Sequence, residues 1–317
     1  MHYQSKAPER FQWSIEINLQ EDFRFKIYED LKRAGYTDAS RKDAVYQYYN
    51  LRKRQIEPRP REVLQSREFI CPAGYELALE EFENKIKTGE NLVPFQSEKI
   101  RKADYNDGLL NDWGIQHFHL SRRFRDDGFV ARSQYQIFAY VTDDAVYMIQ
   151  IYPHNAEDLY SRREMVRIMR DNWPELLEKF HIKEVSGLTE KIDDHQYGEI
   201  RNAHLLTFLE LGHNQVYGMI GGGYSSNGFS TEALRKADFW MNRMGIFHLI
   251  VKNNAVWIGK TINQLNNVDV NYCDMKMRLL WIDNADKVTM AEVVSGLIVQ
   301  VETKENWIRI CQAHEVW

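Results

Sequence analysis

Residues 135–152 read YQIFAYVTDDAVYMIQIY. Two runs rich in aromatic and β-branched residues, YQIFAYV and AVYMIQIY, flank the polar link Thr142-Asp143-Asp144. Such runs predict an antiparallel hairpin, since strands favour side chains that pack on a pleated surface and turns favour side chains that bond their own backbone. Pro153 cannot donate to a ladder, so it ends the second strand and leaves His154 at the exit. Upstream, SRRFRDDGFVARS (121–133) is a basic link. Before it, GIQHFHLS (114–121) alternates as a strand, with Ile115, His117, His119 and Ser121 on one face and Gln116, Phe118 and Leu120 on the other. Downstream, residues 155–180 carry the apolar stripe Met165, Ile168 and Met169 and predict a helix, capped by Asp158 or Ser161, with a second helix opening at Pro174. The middle of the chain reads strand, basic loop, strand, turn, strand, helix.

On the N-terminal side, FQWSIEINL (11–19) alternates as a short strand, and residues 21–35 and 40–54 read as helices. RKRQIEPRPREV (52–63) is a proline-broken basic link: either a solvated connector or a segment that lies along phosphates. A helix is predicted from Pro72 to Lys87, stopped by Gly89. On the C-terminal side, residues 181–203 are charged and without clear period. Two strands are predicted around Gly212-His213-Asn214, and then a helix capped by Ser230 and stopped by Gly245. The rest, beginning FHLIVKNNAVWIGKTI (247–262), reads largely as strand with Asn-Asn and Asp-Asn turns. The expected class is α+β: a helical N-terminal region (1–100), a central antiparallel sheet with helix that holds the candidate site (101–180), and a β-rich C-terminal region (181–317).

Bulk properties bound the function. Apolar residues make up 44% and aromatics 13% of the 317, enough to build sizeable cores in about two or three domains. The net charge of −5 restricts any nucleic-acid contact to a local patch. No run reaches the roughly 18–20 apolar residues of a membrane span, and the N-terminus lacks the apolar region of a secretory signal. Cys71, Cys273 and Cys311 form no CxxC pair, which points to core packing in a reducing cytoplasm and away from a thiol zinc site. No cofactor and no membrane partner are expected.

Three clusters carry chemistry. His117 and His119, about 6.5–7 Å apart at the backbone by strand rise, suit acid/base work near neutral pH, a shared metal, or plain half-buried packing. A metal needs a third ligand, which Asp112, Asp107 or His154 would supply. Arg122, Arg123, Arg125 and Arg132 offer forked donors for phosphate, partly cancelled by Asp126 and Asp127. GGGYSSNGFS (221–230) precedes a helix and offers backbone amides to an anion, although it matches neither of the glycine-rich nucleotide motifs.

The stretch 117–154 resembles the core of the RelE/ParE-like toxins, ribonucleases of the barnase–RelE architecture. HFHLS, RRFRDDGFVAR and YQIFAYVTDDAVYMIQIYPH match their strand, arginine-bearing link and acidic-turn hairpin in order. The resemblance covers about 40 of the 317 residues. It implies metal-independent cleavage of RNA, with His154 as the terminal acid/base, Arg132 as phosphate clamp, Tyr135 near the scissile phosphate, and an antitoxin protein as partner. LLNDWGIQHFHLS (109–121) itself resembles the mark of a bacterial family. The expected function is an endoribonuclease of toxin or phage-defence type, with His117, His119 and His154 catalytic and Arg122, Arg123, Arg132 and Tyr135 on the RNA. The alternatives are a non-catalytic nucleic-acid or protein-binding factor, and a metal-dependent hydrolase built on His117, His119 and Asp112.

Overall fold

The computed structural model describes residues 14–212, 214–266 and 274–315. Residues 11–13 of the N-terminal strand, His213 of the 212–214 turn and Cys273 lie outside the described residues. In chain order the elements are β1 (Ser14–Glu16), α1 (Leu19–Arg33), α2 (Ala44–Arg54), β2 (Glu62–Gln65), α3 (Glu76–Thr88), α4 (Gly108–Trp113), β3 (Ile115–His119), β4 (Tyr135–Val141) and β5 (Ala145–Pro153). Then follow α5 (Glu164–Asn172), α6 (Pro174–Leu177), α7 (Asp194–Asn202), β6 (Leu209–Glu210), β7 (Val216–Tyr217), α8 (Thr231–Asn253), α9 (Ala255–Asn266), β8 (Asp274–Asn284), β9 (Lys287–Glu292), β10 (Ile298–Glu302) and β11 (Trp307–Cys311). The fold is α+β.

The chain divides into two compact units. One holds Leu31–Ala39 and Tyr46–Lys236; the other holds the described residues of Met1–Asp30, Ser40–Val45 and Ala237–Trp317. In the first, a four-stranded sheet has the order β2-β5-β4-β3. The β4–β5 hairpin forms as expected: the Thr142 amide donates to the Ala145 carbonyl (2.9 Å), and the Thr142 hydroxyl accepts from the Ala145 amide (3.0 Å). β3 runs antiparallel beside β4, while β2 joins β5 in parallel, so the sheet is mixed rather than purely antiparallel. β2 rises out of the proline-broken link. Its four residues, EVLQ, lack the alternation that would mark them as strand.

Both faces of this sheet are covered. Ile115, Phe138, Ile149 and Tyr152 pack against Met165, Val166 and Met169 of α5 and against Tyr197 of α7. Phe118, Ile137, Met148 and Ile151 pack on the other side against Leu79, Phe82 and Ile86 of α3. Each such fully buried side chain contributes about 1.5–3 kcal/mol. α3 opens at Glu76, after a turn at Pro72–Tyr75, and Gly89 closes it with φ 77°. Residues 155–163 are not helical beyond the short turn Leu159–Ser161, and Asp158 lies in left-handed backbone without capping by its side chain.

The second unit holds a sheet of order β1-β8-β9-β10-β11, with Met275, Met277, Val288, Met290, Val299 and Val301 buried. Its helices correct the expectation of strand. α8 does not stop at Gly245 but continues to Asn253, and α9 follows at once. Phe247, Val251, Ile258 and Ile262 are buried at helical spacing, but Leu249, Val256 and Trp257 between them are exposed and apolar, which hides the period.

Candidate functional site

Local chemistry aims the histidines. Asp107 caps α4, its carboxylate accepting from the Leu110 amide at 3.0 Å. Gly114 ends the helix with φ 72°, and a Cβ there would meet the Tyr140 ring at 2.8 Å. This tight left-handed turn leads directly into β3. The register then sets His117 opposite Phe138 and His119 opposite Gln136. Gln136 lies opposite Tyr152 on β5, and the His154 amide donates to the Gln134 carbonyl at 2.7 Å. The row through His119 ends at Tyr152; His154 lies two residues further on, beyond the strand end, and its ring stacks on that of His119 with centroids 6.1 Å apart. His117 meets the Tyr160 ring edge-on at 5.4 Å.

His117, His119 and His154 line one cleft of about 730 Å³. His119 is 8% exposed, His117 is half-buried and His154 is open at the mouth. Burial pushes the His119 ring down to about 4, with His117, His154 and Arg132 adding to the effect. Burial also holds His117 low, against the pull of Asp107. The Nδ1 atoms of both rings are buried without a hydrogen-bond partner. Burial thus keeps both imidazoles neutral at physiological pH. Lys99 and the exposed Arg132 stand at the edge of the same cleft, Arg132 at 3.9 Å from Glu98, which lines it too.

The other expected site residues are dispersed. Arg122 is exposed and pairs with Glu81 at 3.1 Å; Arg123 is exposed, and neither lines the cleft. Arg125 is held between Glu98 and Asp127. Tyr135 points from the opposite sheet face, its ring edge-on to Tyr75 at 5.1 Å, because side chains alternate and Gln136 takes the cleft face. Asp112 is buried; its carboxylate accepts from Arg201 Nε at 2.9 Å and stands 2.8 Å from Nη2 as an ion pair. Burial raises its carboxyl, and Arg201 opposes that rise. With Asp112 tied to Arg201 and Asp107 engaged as a cap, neither stands ready as a third ligand. Among the described residues no group of three or more His, Cys, Asp or Glu side chains is arranged to hold a metal ion.

Two basic or glycine-rich features serve the fold. In the 52–61 link, Arg54 bonds the carbonyls of Lys99 and Lys102, Arg61 those of Thr142 and Glu57, and Lys53 that of Gly221. Arg59 pairs with Glu57; among the described residues, Arg52 is the exposed cation of the link with no ion pair. In the glycine loop, the Gly221 amide donates to Asp112 O and the Gly223 amide to Asn111 O, both at 2.8 Å. A Cβ at Gly221 would meet Gly114 N at 2.6 Å and Asn111 O at 2.7 Å. These glycines permit close backbone packing on α4, and their amides are spent there.

Several cleft residues, Lys99 among them, escaped the sequence reading. Gln136, 1% exposed, accepts from the Tyr160 hydroxyl at 2.9 Å. Arg201 stacks over Trp113 at 4.2 Å and donates to the Tyr160 carbonyl, tying the turn at Tyr160 to α4. His195 sits on α7 and contacts Asp158. The signal that marks α7 is its capping box: Asp193 accepts from the Gln196 amide, and the Gln196 side chain accepts from the Asp193 amide.

Comparisons of the chain with family models, with curated proteins and with solved structures gave no match. Among the described residues no helix is long and apolar enough to cross a membrane.

Proposed function

We propose that this protein is a metal-independent endoribonuclease of toxin or phage-defence type, acting in the cytoplasm on RNA and controlled by an antitoxin protein. The observation that carries the reading is the shared cleft of His117, His119 and His154, with Lys99 and Arg132 at its edge. His119, neutral at physiological pH, takes the proton from a ribose 2′-hydroxyl, with His117 beside it. Arg132 and Lys99 attract the phosphodiester and balance charge as it builds on the phosphoryl oxygens. His154, open at the mouth beside the His119 ring, exchanges protons with solvent.

The test is cleavage of single-stranded RNA in EDTA, together with growth arrest on expression. His119→Ala should lower cleavage by roughly 10²–10⁴-fold, the usual contribution of a positioned acid or base. If His119→Ala and His154→Ala both keep wild-type cleavage and arrest, the reading is wrong. Cleavage abolished by EDTA and restored by zinc or manganese would transfer the site to the metal-dependent reading of His117 and His119.

A further inference from the structure

Another wall of the cleft carries a histidine of its own. It is built from the turn Leu159–Ser161 and one face of α7, and Asp158, His195, Glu199 and Asn202 from it line the cleft. His195 Nδ1 lies 3.2 Å from Asp158 Oδ1, which sets the orientation of the ring. Asp158 has φ 49°, a left-handed backbone that costs about 1 kcal/mol or more for a residue with a Cβ, and it stands one residue before the turn that bears Tyr160. α7 is seated closely on this turn: a Cβ at Gly198 would meet Ser161 Oγ at 3.0 Å. Arg201, one turn further along α7, bonds the Tyr160 carbonyl. The placement of the pair thus follows from how the wall is built.

We infer that His195, oriented by Asp158, is the proton donor to the leaving oxygen, sharing the cleft with the base on the sheet. The inference rests on the ribonuclease reading and names a catalytic residue within it. In the step, His119 removes the 2′-hydroxyl proton and the 2′-oxygen forms a bond to phosphorus. The P–O5′ bond breaks, and O5′ takes its proton from the His195 imidazolium. The products are a 2′,3′-cyclic phosphate and a 5′-hydroxyl, and solvent restores both rings. Charge divides the roles in the same sense. Around His195 stand Asp158, Glu199 at 3.8 Å and Asp193; the Asp158 hydrogen bond is the main influence raising this ring above the ordinary histidine value. Asp194, its neighbour on α7, is turned to Arg163. The sheet imidazoles are pushed the other way. Two groups of one kind driven apart by their surroundings mark an acid and a base.

The experiment compares RNA with a mixed pool of ribonucleoside 3′-(4-nitrophenyl phosphates), whose leaving group departs without a proton. His195→Ala should lose roughly 10²-fold on RNA and far less on the activated esters, whereas His119→Ala loses on both. Asp158→Asn should move the alkaline limb of the kcat/KM profile on RNA to lower pH. This arm is independent of whether His195→Ala folds. Equal losses of His195→Ala on the two substrates, no loss on RNA, or an unmoved alkaline limb in Asp158→Asn would overturn the inference and leave the ribonuclease reading standing. A wild-type protein that cleaves neither substrate removes the reading, and this inference with it.

Discussion

The rings of His119 and His154 lie with centroids 6.1 Å apart and planes 13° from parallel, one ring sealed in β3 and the other open beyond the end of β5. At this distance a proton on one ring disfavours a proton on the other. His154 is accordingly among the groups that hold His119 down, after burial and His117. Replacing His154 with Ala should raise the titration of His119, followed by the NMR shift of its ring protons against pH. An unchanged titration would show that the two rings are not electrically coupled.

Burial of His119 has a cost in acid. Its ring titrates at about 4 in the fold against an ordinary value of 6.5, so the unfolded chain binds the proton more readily. A depressed histidine contributes stability that is present above 6.5 and lost as pH falls toward 4. Between pH 7 and pH 5 this one group should remove about 2 kcal/mol, and His117, shifted the same way, adds to the loss. Urea unfolding at the two pH values measures it. His119→Gln should flatten the difference; a variant as acid-sensitive as wild type contradicts the assignment.

Asp112 and Arg201 form the buried ion pair that joins α4 to α7, with side chains 4% and 7% exposed. Removing one partner strands the other's charge, so Asp112→Ala should cost about 3–5 kcal/mol. The loss is read as a lowered urea midpoint with unchanged m-value. A cost below about 1 kcal/mol, the level of an exposed pair, would mean that the pair is open to water.

The basic link offers a separate test of the proposed RNA contact. Arg54→Ala strips donors from two carbonyls and should destabilise by about 1–3 kcal/mol, while Arg52→Ala, on the surface, should stay within about 0.5 kcal/mol. In binding to single-stranded RNA, Arg52→Ala should leave affinity and its salt dependence unchanged. Arg132→Ala should weaken binding and lower the salt slope by about one. The reverse order would move the RNA path from the cleft to the link.

Much of the site region was legible because it is local. The hairpin follows from side chains within a few positions of Thr142. The common face of His117 and His119 follows from strand alternation, and Pro153 marks the strand end before His154. The arginines were not legible in the same way. Arg54 and Arg61 turn inward to carbonyls brought close by the fold, and Arg122 turns outward to Glu81. Their identity states a charge and a reach but no partner.

By itself, then, the sequence determined an α+β chain with a strand–link–hairpin centre and three histidines bound for one sheet face, since periodicity, turn chemistry and proline act at short range. Only the tertiary structure decided which groups share the cleft with those histidines. Asp158 meets His195 across 37 residues and Asp112 meets Arg201 across 89. It also carried α8 through Gly245, because burial of Phe247 and Val251 at helical spacing outweighs the roughly 1 kcal/mol that a glycine costs inside a helix.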